Sequence, residues 1–252
     1  MRNIKLIIEY DGTNYSGWQI QKSHPSTKLK AGKRTIQGVL EEALAKILQD
    51  KVKVIASGRT DAGVHAKNQV ANFKTKSRLS LRDLKNALNA NLPDDIVIKK
   101  VEKVPLEFHS RFSAKSKIYR YQISRGFVSC FERFYFTRVR YKLDVDLMRR
   151  EAKVLIGRHN FKSFQGSGRK AKNTIRTIKD IKIKEKGRYI FIDIEADGFL
   201  YNMVRNIVGT LIEIGRGRFL EGSMKRILEA EDRRKVGPTA EAKGLFLMKV
   251  KY

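Results

Sequence analysis

The chain has a single cysteine, Cys130, and four prolines among its 252 residues. One thiol cannot close an internal disulfide and supplies no Cys-x-x-Cys pair for a metal, so the cytoplasm is the expected compartment. The four histidines, His24, His65, His109 and His159, form no metal-ligand spacing, and no metal is expected. There is no Walker A loop and no dinucleotide fingerprint, and therefore no expected cofactor. No apolar run approaches the roughly 20 residues of a membrane span. The start, Met1-Arg2-Asn3-Ile4-Lys5-Leu6, lacks the apolar core of a signal peptide. Acidic residues are also scarce, 26 against 54 lysines and arginines, for a net charge of +28. An excess this large in one sign calls for a polyanionic partner, with nucleic acid leading. An anionic membrane is the weaker fit, because no basic amphipathic helix or lipidation motif stands out.

What is present reads as a folded globule, with 41% apolar residues, nine Tyr and thirteen Phe. Ile4, Leu6 and Ile8 alternate as a strand. Ile36, Val39, Leu40, Ala43, Leu44, Ile47 and Leu48 then line one helix face behind Thr35, a plausible N-cap. Val52, Val54 and Ala56 predict a second strand and Gln69 to Phe73 a third. Ser80-Leu81-Arg82-Asp83 resembles a capping box opening a helix with Leu84 and Leu88 inward, closed before Pro93. Ile96 and Ile98 start a fourth strand. The second half repeats this order, beginning with a strand through Tyr119, Tyr121 and Ile123. Its first helix has Leu147, Met148, Ala152, Leu155 and Ile156 inward and is ended by Gly157. A hairpin turns at Lys186-Gly187, a helix runs through Leu200 to Leu211, an extra helix covers Met224 to Leu228, and Phe246, Met248 and Val250 form the last strand. The expected fold is α/β (α+β), two ferredoxin-like βαββαβ halves with antiparallel sheets. The expected halves are 1–106 and 107–252.

The densest chemistry lies in Gly58-Arg59-Thr60-Asp61-Ala62-Gly63-Val64-His65-Ala66. One carboxylate, one guanidinium and one imidazole stand between glycines, which suits a tight exposed loop approaching a ligand closely. The string resembles the signature of the pseudouridine synthases, in the form found in the tRNA-specific TruA family. Three further segments resemble the same family: Lys115-Ser116-Lys117-Ile118-Tyr119-Arg120-Tyr121, Phe108-His109-Ser110-Arg111-Phe112-Ser113-Ala114, and Phe199-Leu200-Tyr201-Asn202-Met203-Val204-Arg205-Asn206-Ile207-Val208-Gly209. The likeness runs from Tyr10-Asp11-Gly12-Thr13-Asn14-Tyr15-Ser16-Gly17-Trp18-Gln19 to Gly244-Leu245-Phe246-Leu247. It departs at Glu241, where the family commonly has proline, and so bears on the placement of Leu245.

The resemblance implies that the two sheets join into one central sheet and that uridine is isomerised to pseudouridine at tRNA positions 38 to 40, in the anticodon stem-loop, by a homodimer. It makes Asp61 the catalytic residue and Arg205 its ion-pair partner, on a helix face shared by Asn202, Asn206 and Gly209. It places Tyr119 against the target base, Arg59 in the space left by the flipped nucleotide, Arg111 at the backbone or active site, and Leu245 beside the active site. His65 is a further expected RNA contact. Lys28, Lys30, Lys33 and Arg34 lie in a polar, basic stretch, residues 22–34. Arg169, Lys170 and Lys172 lie in a Gly-Ser-Gly-led arm, and both sets are expected to contact phosphates. Asp94-Asp95 reads as a turn. One rival reading is a non-catalytic RNA-binding protein on the same scaffold. A glycoside hydrolase is a weaker one, since it normally flanks the bond with two carboxylates and the motif holds one.

Overall fold

The structure is a computed structural model describing residues 1–20, 34–168, 171 and 173–252. It divides into two compact units, Met1–Lys115 with Leu247–Tyr252, and Ser116–Phe246. The sequence pattern places the boundary at 106/107 and the whole C-terminus in the second half, whereas the last six residues count with the first unit. The fold is mixed α/β.

The first unit runs β1 (Arg2–Tyr10), α1 (Ile36–Leu48), β2 (Ile55–Ala56), β3 (His65–Thr75), α2 (Leu81–Asn91) and β4 (Ile96–Val104). Its strand order is β4-β1-β3, antiparallel throughout, with β2 on β3. Ile4, Leu6, Ile8 and Tyr10 are buried while Lys5, Ile7 and Glu9 are half-buried, the period-two pattern of a strand with one covered face. Leu40 and Leu44 of α1 and Leu84 and Leu88 of α2 complete that core. Both predicted caps form: Thr35 Oγ1 accepts from Gly38 N (3.2 Å) and Ser80 Oγ from Asp83 N (3.1 Å). The second strand is shorter than the pattern from Val52 predicts. Val54 N donates to Glu41 Oε1 (2.9 Å) and Val54 O accepts from Gln37 Nε2 (3.3 Å), so α1 side chains take the groups a strand ladder would use.

The second unit runs β5 (Ser116–Arg125), β6 (Thr137–Val139), α3 (Val145–Lys153), β7 (Gly157–Asn160), β8 (Ile175–Lys186), β9 (Tyr189–Ala196), α4 (Met203–Gly215) and α5 (Ser223–Ala230). The order β5-β9-β8-β7 is antiparallel, and β6 adds to β5 in parallel, a departure from the all-antiparallel expectation. The helix expected to reach Ile156 stops at Lys153, because Leu155 N and Ile156 N make i→i−3 turn bonds to Ala152 and Lys153. Gly157, with φ +113°, then opens β7. Glu151 is a buried carboxylate whose oxygens accept from Gly222 N (2.7 Å) and Met224 N (2.9 Å), capping α5. In the first unit, the end of β10 (Leu245–Lys251) is held by Asn68 Nδ2 donating to Met248 O (2.7 Å) and Lys115 N to Lys251 O (2.8 Å).

Candidate active site

In the first unit the Gly58–Ala66 loop leads into β3 and is locked from both ends. Ser57 Oγ donates to Gln69 Oε1 (2.8 Å), and Gln69 Nε2 donates to Gly58 O (2.9 Å). Thr60 is buried: its Oγ1 bonds Tyr10 Oη (2.8 Å) and its carbonyl accepts from Trp18 N (3.0 Å). Burial pushes the Tyr10 hydroxyl up to about 12, so it remains protonated and able to donate. Val64 N donates to Asp61 O (3.1 Å), closing a turn across Ala62 and Gly63, the latter at φ +74°. Thr60 and Val64 are buried, whereas Asp61 is half-buried and Arg59 exposed. The anchors at Thr60 and Val64 thus bracket Asp61 from both sides along the backbone.

The wall behind this loop is the 10–18 segment, to which the sequence gives no role of its own. A Cβ on Gly12 would lie 2.0 Å from Val64 O, and one on Gly17 2.6 Å from Thr60 O. Only residues without a side chain permit this approach. His65, expected to contact RNA, is instead 1% exposed. Gly12 N donates to His65 Nδ1 (3.1 Å), and Asp11 Oδ1 lies 3.0 Å from that same nitrogen. The first bond uses the Nδ1 lone pair and the second needs a hydrogen on that same nitrogen, so the two exclude each other. Either way His65 ties the loop to the 10–18 segment and offers RNA no surface. Asp95 accepts from Tyr15 Oη, a structural use consistent with its place in a turn.

Arg111 is exposed, its guanidinium 5.5 Å from the Phe112 ring centre. A buried polar cluster holds its segment: Ser110 N donates to Asn72 Oδ1 (2.9 Å), Asn72 Nδ2 to Asn3 Oδ1 (2.9 Å), Asn3 Nδ2 to Phe108 O (2.8 Å) and Tyr252 Oη to Ser110 O (2.8 Å). Arg34 is exposed, and its carbonyl accepts from Ser16 N (3.0 Å) beside the same 10–18 segment. Lys28, Lys30, Lys33, Arg169, Lys170 and Lys172 lie outside the described residues.

In the second unit Tyr119 is buried on β5, edge-on to Phe199 with ring centres 5.1 Å apart. Tyr121, on the same face, is a core residue. Its hydroxyl donates to Glu241 O (2.8 Å) and bonds Thr137 Oγ1 (2.6 Å). On α4 the face shared by Arg205, Asn206 and Gly209 is covered by residues 236–240. Fully buried Asn206 donates to Phe164 O (2.8 Å) and accepts from Thr239 Oγ1 (2.7 Å), and a Cβ on Gly209 would meet Pro238 O at 1.7 Å. Arg205 stays half-buried at the edge of this contact, its Nε donating to Ala240 O (2.7 Å) and Nη1 to Asn202 Oδ1 (3.1 Å). These two bonds fix the orientation of the guanidinium on the helix.

Leu245 is buried, and Gly244 before it lies too close to Tyr121 for a side chain. Glu241 has φ −57°, inside the range proline fixes, so a proline ring fits the backbone here. Glu241→Pro should therefore stabilise the protein by about 0.4–1 kcal/mol through the unfolded chain. A lower denaturation midpoint would contradict this and point to the Glu241–Lys243 ion pair (3.0 Å) as the stronger term.

The sequence model of the family described as tRNA pseudouridine synthase matches residues 6–113 and 152–252. A tRNA pseudouridine synthase A of Acetivibrio thermocellus is 45% identical over 253 aligned residues, covering 100% of both chains. A tRNA pseudouridine synthase A 2 of Clostridium perfringens is 46% identical, again over 100% of each chain. One from Geobacter sp. strain M21 is 44% identical over 100% of this chain and 99% of its own. The chain belongs to the tRNA pseudouridine synthase family, isomerases that act on uridine in tRNA. That membership sets aside the reading as an RNA-binding protein without catalysis. Among the described residues no helix is long and apolar enough to cross a membrane.

Proposed function

We propose that this enzyme isomerises uridines 38 to 40 of the tRNA anticodon stem-loop, with Asp61 as the catalytic group, working as a cytoplasmic homodimer. The observation that carries the role of Asp61 is its placement: a half-buried aspartate on a loop whose neighbours Thr60 and Val64 are buried and whose backbone is braced by Gly12 and Gly17. The reaction breaks the bond from ribose C1′ to uracil N1, turns the base and rejoins it through C5, whose proton is released. A carboxylate at C1′ either attacks it or stabilises the positive character that develops there. Arg59 fits the role of a wedge for the vacated stack, since a paired uridine must leave its helix before its glycosidic bond is reachable. Tyr119, Arg111, Arg205 and Leu245 are proposed substrate-binding residues, and the basic loops proposed phosphate contacts.

Tritium at uridine C5 of unmodified tRNA tests the reaction, because rejoining through C5 releases that label to water. Label release with pseudouridine confined to 38–40 is expected; release from other positions would overturn the anticodon assignment. Arg205→Ala should lower the single-turnover rate by more than it lowers tRNA affinity. Its guanidinium is held in place by Ala240 O and Asn202, which suits a group that orients reacting atoms more than a general phosphate contact. Equal losses in rate and affinity would make it a phosphate contact instead.

A further inference from the structure

The turn between β5 and β6 carries a surface that the site residues leave unused. Phe127 is 64% exposed, Phe131 85% and Phe134 41%. Soluble proteins seldom gather large apolar side chains in water without a partner. The turn itself is well bonded: Gly126 N donates to Val139 O (2.9 Å), Glu132 N to Ser129 O (3.0 Å), Tyr135 N to Glu132 O (2.8 Å) and Ser124 Oγ to Phe127 O (2.8 Å). Arg188 stands 5.5 Å from the Phe127 ring centre and donates to Glu132 Oε2 (2.9 Å); Arg133 stands 4.2 Å from the Phe134 ring centre. Rings and guanidinium planes are therefore presented together on an ordered backbone, with little further ordering cost on binding.

Charge decides what covers this surface. Residues 120–140 hold five arginines and no lysine; Arg120 pairs with Asp193 and Arg125 with Glu185, while Arg133, Arg138 and Arg140 are exposed. Their one acidic residue, Glu132, is engaged by Arg188 and Tyr189. A second copy of the chain would oppose arginines with arginines. RNA brings phosphates for the guanidinium groups and flat bases for the rings, the pairing by which unpaired nucleotides are held. We propose that this turn is a tRNA-contacting surface on which an unpaired base stacks against Phe131, while Arg138 and Arg140, both exposed, face phosphates. It rests on tRNA being the substrate and is independent of which uridine is modified.

Phe131 is so exposed that Phe131→Ala should leave the fold intact. In filter binding with unmodified tRNA, its Kd should rise about fivefold to 100-fold. Its slope of log Kd against log salt should stay at the parent value, because stacking releases no counterions. Arg140→Gln should lower that slope by about 0.7 to 0.9. Phe131→Trp should restore the affinity, and the rate at saturating tRNA should be retained in all three variants. An unchanged Kd for Phe131→Ala overturns the proposal. So does sedimentation showing that this variant loses a dimer the parent forms, since the turn is then an interface between copies. Pseudouridine mapped outside the anticodon stem-loop, together with weakened Phe131→Ala binding, overturns the anticodon assignment alone.

Discussion

Asp61→Asn is expected to bind tRNA with the parent's affinity and to form pseudouridine at least about 1,000-fold more slowly. The amide has nearly the carboxylate's size and keeps one acceptor oxygen, and the loop is held by its backbone and buried neighbours, so it should not move. What is lost is the negative charge at the bond to be broken. The loop's conformation is set by backbone and by neighbouring buried residues, Thr60 against Tyr10 and Trp18, and Val64 against Gly12. Affinity is spread over many cations in a chain of net charge +28, which is why it should survive a single substitution. Single-turnover tritium release and filter binding on the same preparation separate the two quantities. Turnover by the Asn variant at a rate near the parent's would remove Asp61 from the chemistry.

Gly12→Ala should damage the Asp61 loop severely for a change of one methyl. Its Cβ would stand 2.0 Å from Val64 O, so one backbone segment must retreat from the other. Overpacking of this kind costs about 1–3 kcal/mol, and here the neighbour is main chain, which cannot rotate aside. Gly17→Ala adds a second penalty, since Gly17 holds φ +87° and its Cβ would meet Thr60 O at 2.6 Å. Both variants should unfold at lower denaturant and, where folded, turn over slowly because the Asp61 loop has shifted. Gly12→Ala with parental midpoint and rate would show that the 10–18 segment does not brace the loop.

The local features were legible. Thr35 and Ser80 announce their helices because a cap is decided within four residues, and the alternation Ile4-Leu6-Ile8 marks β1 because one face must be covered. The Asp61 loop was legible as a string. Its support was not, because a glycine's close approach is a property of two distant segments: nothing in Tyr10 to Trp18 states that its partner is Thr60 to Val64. His65 failed as an RNA contact for the same reason, since its burial comes from Asp11 and Gly12. The polar face of α4 could be located in the sequence but its cover could not, because residues 236–240, which lie over it, come far along the chain. The short strands β6 and β7 went unread, with three and four residues too few to show a period. The inclusion of Leu247–Tyr252 with the first unit rests on bonds between distant residues, Asn68 to Met248 and Lys115 to Lys251, that no local pattern encodes.

The most direct measurement is a nucleotide-resolution pseudouridine map of an unmodified tRNA after incubation with the purified protein, in buffer containing a chelator and no nucleotide. Pseudouridine should appear at positions 38 to 40 with the parent and at none with Asp61→Asn. A map that is blank for the parent, or the same for parent and variant, would contradict it.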